Sequence, residues 1–204
     1  MAAHVDDFTE TAETTETFVL AARRWSVDEY SHMAAQGWFE GQHVELIIGE
    51  VLCMSPQGAI HGMCVTLVHA ALQQAFGKGH TVRVQLPLRV SNNSEPEPNL
   101  AVVPGTARDY PQHPTTALLV VEVSETTLAH DRGRKASLYA AGGVPEYWML
   151  DIARRRLEVF CEPQSDPAEP SGNGYRKTTV YLATETVSPL SMPQASISVA
   201  SLLP

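Results

Sequence analysis

The chain has little of what several function classes require. Only three of its 204 residues are cysteines, Cys53, Cys64 and Cys161, an odd number with no C-x-x-C pair. That leaves no disulfide framework and no thiolate zinc site, and the three read as small buried or half-buried thiols. Basic residues are scarce, 14 against 23 acidic, which sets the formal net charge at -9 and the sequence pI near 5.3. A bulk electrostatic grip on nucleic acid usually needs the opposite sign, so contact with DNA or RNA has to come from a local basic patch or a bound cation. No apolar run approaches the roughly 18 residues of a membrane span. Residues 1–18 are acidic and Thr-rich, with no basic leader ahead of an apolar stretch. The expectation is a cytoplasmic chain with no membrane attachment and a disordered acidic tail over residues 1–20. There is no P-loop, no G-x-G-x-x-G and no nucleophile elbow, and no zinc-finger or helix-turn-helix spacing.

What is present is ordinary globular composition, 44% hydrophobic and 18% charged. A domain near this size buries roughly 70% of its unfolded surface, so residues 21–204 are expected to fold as one domain without a staple.

Ser26 and Glu29 form a capping box that starts a helix over Val27–Ala35. Val44–Ile48 and Val51–Met54, with a turn at Gly49-Glu50, read as a hairpin. From Ala59 to Phe76, Met63, Leu67, Ala71 and Ala75, joined by Cys64, Val68 and Leu72, recur at helical spacing. Thr81–Val90 alternates strictly and predicts one strand, with Pro87 pointing to an edge or a bulge. Short apolar strands follow at Leu100–Val103, Leu118–Val123 and Tyr147–Leu150. Asp131–Ala141 reads as a helix, and Leu157–Cys161 with Tyr175–Tyr181 as a late hairpin around a long loop, 162–174. The sum is a mixed α/β fold with helices over a central sheet.

Polar residues interrupt two of these apolar runs. Glu122 sits near the end of Leu118–Val123, and Asn99 opens the strand at Leu100. An ionised carboxylate in a strand covered on both faces is costly unless paired or bound to a cation. Glu45 lies amid Val44, Leu46 and Ile47, and Asp131 and Lys135 share a helix face at i,i+4. Each has a plainer reading on its own. Asp131 and Lys135 suit a solvated surface pair, Glu122 a strand end with its head in water, and Glu45 the polar face of an amphipathic strand.

Their order and spacing carry more. Glu95-Pro96-Glu97-Pro98-Asn99-Leu100, then Val120-Val121-Glu122-Val123-Ser124, then Asp131, Lys135 and Tyr139, ending in Gly143-Val144-Pro145-Glu146-Tyr147-Trp148, resemble the Uma family of restriction-endonuclease-like proteins. That family is grouped with the PD-(D/E)XK nucleases. Val44-Glu45-Leu46-Ile47, Met54-Ser55-Pro56 and His61 are similar to it too, so the resemblance spans about Trp25 to Pro204.

The resemblance implies a restriction-endonuclease-like fold and hydrolysis of DNA phosphodiester bonds with Mg²⁺ or Mn²⁺. It implies Glu122 as a metal ligand, Glu45 as a further acidic group and Lys135 as the amine that steadies water or phosphate charge. Lys135 takes this role because Ser124 stands where the superfamily commonly has its lysine. Gln85 is a candidate water or metal contact. His61 is either a site residue or a core or capping histidine. Arg132 and Arg134 are candidates for a local basic patch beside Lys135. The small size and hairpin edges suit a homodimer, and a cleaver of both strands wants two sites.

One departure counts against full activity. The family has Pro-Asp where this chain has Pro98-Asn99, and a neutral amide is a poor ligand for Mg²⁺. Glu97 shares a face with Asn99 in an extended segment, but Pro96 and Pro98 restrict it from compensating. The competing expectation is therefore a catalytically silent binding or assembly module on the same fold.

Overall fold

Ser26 and Glu29 close the expected capping box, and helix α1 runs Val27–Ala35 in the computed structural model, which describes residues 21–125 and 127–204. The acidic tail expected over residues 1–20 lies outside the described residues. Strands β1 (Val44–Ile47) and β2 (Glu50–Cys53) pair as an antiparallel hairpin. The turn sits one residue earlier than expected, at Ile48-Gly49, both with positive φ (50° and 73°). That two-residue turn matches the twist of the flanking strands, so Glu50 is released into β2. A Cβ at Gly49 would also come within 2.7 Å of Arg24 Cβ, so the position needs glycine for space as well as for φ. Helix α2 (Ala59–Phe76) matches the expectation in both bounds.

The central sheet has six strands in the order β3-β4-β5-β6-β7-β8. They are β3 (His80–Val84), β4 (Leu100–Pro104), β5 (Leu119–Ser124), β6 (Glu146–Asp151), β7 (Arg156–Ser165) and β8 (Asn173–Leu182). Only β5 and β6 run parallel, which requires the helical crossover between them. Alternation along the strands feeds two cores. Leu119, Val121 and Val123 pack with Val68 and Leu72 of α2, whereas Val120 and Met149 pack on the opposite face with Tyr139, Leu88 and Ile47.

The strand expected over Thr81–Val90 is half the expected length. Gln85 adopts a left-handed backbone, φ 49°, and ends β3. Val82 and Val84 pack against the α2 core, while Leu88 and Val90 belong to the other one. The corner at Gln85 carries the chain from one face of the sheet edge to the other.

The helix expected from Asp131 starts earlier and is not uniform. A short turn α3 (Leu128–His130) leads into a π-helical turn (Asp131–Lys135) and then α4 (Ala136–Ala141). Such widened turns recur at functional sites. Here Asp131 and Lys135 are both buried, which rules out the solvated pair. The late hairpin is longer than expected and its loop shorter, covering 166–172. All three cysteines are free; Cys64 and Cys161 are buried, but Cys53 is exposed. No helix among the described residues is long and apolar enough to cross a membrane.

Candidate active site

Register places three polar side chains in one row across the sheet. Leu100 faces Val121 across β4 and β5, so Asn99 falls opposite Glu122. The Gln85 N–H donates to the Asn99 carbonyl at 3.1 Å and extends the row to the β3 corner. Asn99 and Glu122 clasp each other. The Asn99 N–H donates to Glu122 Oε2 at 3.1 Å, and the Val123 N–H donates to Asn99 Oδ1 at 2.8 Å. Lys135 reaches over from the π turn, its Nζ 2.9 Å from Glu122 Oε1 and 3.3 Å from Glu45 Oε2. The Tyr139 hydroxyl, one helical turn on, donates to Glu122 Oε1 at 2.7 Å. Glu45, Asn99, Glu122 and Lys135 are all buried, Glu45 and Glu122 at 2% exposure.

Electrostatics follow from that burial. Desolvation works against the Lys135 charge, but Glu122, Glu45 and Asp131 outweigh it and hold the ammonium above the ordinary lysine range. Burial pushes the Glu45 carboxyl up, opposed by Lys135. Burial also raises Asp131, to about 6, with Glu122 adding to the shift. Tyr139 is driven well above its usual range by burial and by Glu122, so it stays a donor. His61 and His130 are held low by burial, which favours neutral imidazoles.

All of these groups except Tyr139, which lies behind Glu122, line one cavity of about 380 Å³. Its walls include six of the eight residues singled out from sequence: Glu45, His61, Gln85, Asn99, Glu122 and Lys135. Arg132 and Arg134 are not among them, and the expected basic patch does not form. Arg132 grips the buried Glu158 in a two-pronged pair at 2.9 and 2.5 Å. Arg134 pairs with Glu50 and donates to the Ile47 carbonyl. Both guanidiniums are spent on fastening the helix to the sheet and the hairpin.

The cavity also takes in residues with no separate signal in the sequence, His43, Glu125 and His130. Asp131 stood out only as Lys135's helix partner, and Glu97 only as a restrained neighbour of Asn99; Glu97 instead meets His43 at 2.7 Å. Glu45, Glu97, Glu122, Glu125 and Asp131 share the walls with one lysine, Lys135, and three histidines, so carboxylates outnumber ammonium groups five to one.

Among the described residues no three His, Cys, Asp or Glu side chains are grouped to cage an ion. The donors present still fit a hard dication. Glu45 Oε2 is buried and accepts no hydrogen bond, with only the charge of Lys135 3.3 Å away, and the excess of carboxylates leaves negative charge to neutralise. Mg²⁺ characteristically takes one or two carboxylates, keeps waters and completes its shell with substrate phosphate. Glu45 and Glu122 are the residues that would hold it. Asn99 contributes least, since its oxygen already accepts from Val123.

A family profile described as "Putative restriction endonuclease" (Uma2) matches residues 27–200. The crystal structure of a "putative nuclease belonging to DUF820" from Anabaena variabilis superposes with a TM-score of 0.65 at 12% identity. The match covers 87% of this chain and 96% of that one. No curated protein matches the chain.

Proposed function

The chain belongs to the Uma2 family, and from that premise we propose that it hydrolyses DNA phosphodiester bonds with Mg²⁺ or Mn²⁺ held by Glu45 and Glu122. The observation that carries this reading is the Lys135 ammonium held between two buried carboxylates, one with an oxygen that accepts no hydrogen bond, at the wall of an open cavity. When bound, the dication supplies an acidified water and neutralises charge on the phosphate. Lys135 stays charged beside that position and steadies negative charge developing on the phosphate oxygens. Tyr139 and the Asn99 N–H fix the Glu122 carboxylate from two sides, so it cannot swing away. The net acidity of the cavity repels a bare phosphate, so activity depends on the cation first.

Purified protein is expected to nick supercoiled plasmid in Mn²⁺, and Glu122→Gln to abolish nicking. Nicking that survives Glu122→Gln at full rate would overturn the assignment. A second reading, a catalytically silent module, is favoured by one observation. Asn99, where the family has aspartate, spends its only side-chain oxygen on the Val123 N–H. Plasmid left intact at every Mn²⁺ concentration, with Asn99→Asp restoring cleavage, would select that reading.

A further inference from the structure

Beside the Gln85–Asn99–Glu122 row runs a second one on the same face of the sheet. Arg83 faces Ala101, and Ala101 faces Val120. Arg83 is thus the neighbour of the cavity along the β3 edge. Most arginines of this chain are ion-paired, including Arg89, Arg132 and Arg134. Arg83 has no carboxylate partner among the described residues. One of its amino nitrogens donates to the Pro87 carbonyl at 3.3 Å, and its Nε is buried with no partner at all. Burial holds this guanidinium below the ordinary arginine range. A half-desolvated, unpaired cation in a protein of net charge -9 is costly, and an arriving anion removes that cost.

The surroundings suit a particular anion. Arg83, Leu86, Arg89, Glu95, Tyr110 and His113 wall a cleft of about 470 Å³. The left-handed corner at Gln85 turns Leu86 outward, where it is 44% exposed. Tyr110 supplies an aromatic ring and Arg83 a planar fork of donors, the combination that tracks a nucleic-acid strand by phosphate contact and stacking. Glu95 is the one acid in this wall. Burial pushes its carboxyl up, opposed by the charges of His113 and Arg89.

We infer that the Arg83 cleft binds a phosphodiester phosphate of the substrate strand, next to the one hydrolysed over Glu45 and Glu122. The cleft supplies the local basic contact that Arg132 and Arg134 do not. The inference rests on the nuclease reading, and its test separates the two. Binding of a fluorescent DNA duplex is followed by anisotropy in Ca²⁺ at several salt concentrations. The proteins compared are wild type, Arg83→Gln, Arg83→Lys and, as a control on the opposite edge of the sheet, Lys177→Gln.

Arg83→Gln is expected to weaken binding about tenfold or more and to lower the salt slope by about 1. Arg83→Lys, which keeps charge and loses the fork, should recover part of the affinity, and Lys177→Gln should match wild type. If Arg83→Gln does not fold, judged by its thermal midpoint, Arg83→Lys alone decides, with an expected loss of about threefold. Unchanged affinity and slope in the Arg83 variants would overturn the inference, while Glu122-dependent nicking would leave the nuclease reading standing. Millimolar inorganic phosphate that raises the wild-type midpoint, but not that of Arg83→Lys, without competing with DNA would also overturn it, in favour of a small phosphorylated ligand.

Discussion

Lys135 and Glu122 meet 2.9 Å apart where neither side chain is more than 4% exposed. Their pairing holds the π turn, the sheet and, through Glu45, the first hairpin at a single point. Breaking such a pair leaves a buried charge without compensation, which costs more than the pair contributes. Lys135→Met strands two carboxylates and is expected to destabilise the metal-free protein by about 3–5 kcal/mol. Because a dication can take over the neutralising role, millimolar Mn²⁺ should recover more thermal stability in Lys135→Met than in wild type. Thermal melts with and without Mn²⁺ test both halves, and nicking should be lost throughout.

Asn99→Asp asks what the family's aspartate would do on this scaffold. One carboxylate oxygen can keep the Val123 N–H, and the other brings negative charge beside Glu122. Without metal, that like charge is expected to lower stability by about 2 kcal/mol. With metal it becomes a ligand, and Mn²⁺ affinity by calorimetry should rise at least tenfold, with nicking rising alongside. No change in either would mean that Asn99 is purely a strand clasp.

Asp131 sets a pH dependence of definite sign. Burial raises its carboxyl from 3.8 to about 6 in the folded chain, so the folded state holds its proton more tightly than the unfolded one. The resulting stabilisation is fully present below about pH 4 and is lost as pH climbs through 6. Across that window the shift corresponds to about 3 kcal/mol. Asp131→Asn removes the titration, so its stability relative to wild type should improve steadily from pH 4 to pH 6.5 in urea melts. A constant difference between the two proteins would contradict the assignment.

Much of this architecture was readable from residue pattern because apolar periodicity reports burial directly. Helix α2 and the strand around Glu122 are examples, and Glu122 and Asn99 stood out because a polar residue in such a run needs a reason. Two features escaped for physical causes. The alternation Val82, Val84, Leu86, Leu88, Val90 continues through Gln85, yet the chain changes faces there. A period of two records which residues are buried, not which core buries them, and a single positive φ leaves no mark on it. The roles of Arg132 and Arg134 were set by Glu158 and Glu50, distant carboxylates whose approach depends on how the helix docks. His43, Glu125 and His130 line the cavity from irregular segments or a short turn, where no periodicity marks a residue as facing inward.

Beyond the corner at Gln85 the chain is tied down by the Leu88 N–H donating to the Pro96 carbonyl and the Arg89 N–H to the Pro114 carbonyl, both at 2.9 Å, and Gly142 leaves the space it packs into. Leu88 and Val90 return to the sheet beneath the end of α4, where a Cβ on Gly142 would lie 2.8 Å from Val90 Cβ and 3.1 Å from its Cγ1. Gly142 has an ordinary helical-side backbone, φ -74°, so its need for glycine comes from space and not from conformation. Gly142→Ala is therefore expected to destabilise by about 1–3 kcal/mol through overpacking. Val90→Gly removes both of those atoms and should relieve the clash, so the double variant should be more stable than the sum of the two single losses predicts. Because Gln85 and Arg83 sit at the other end of the same excursion, Gly142→Ala should also weaken DNA binding, and Val90→Gly in the same chain should restore part of it. A double-mutant cycle in urea melts, run beside the anisotropy assay, measures both. Strict additivity would mean that Val90 and Gly142 do not press on each other.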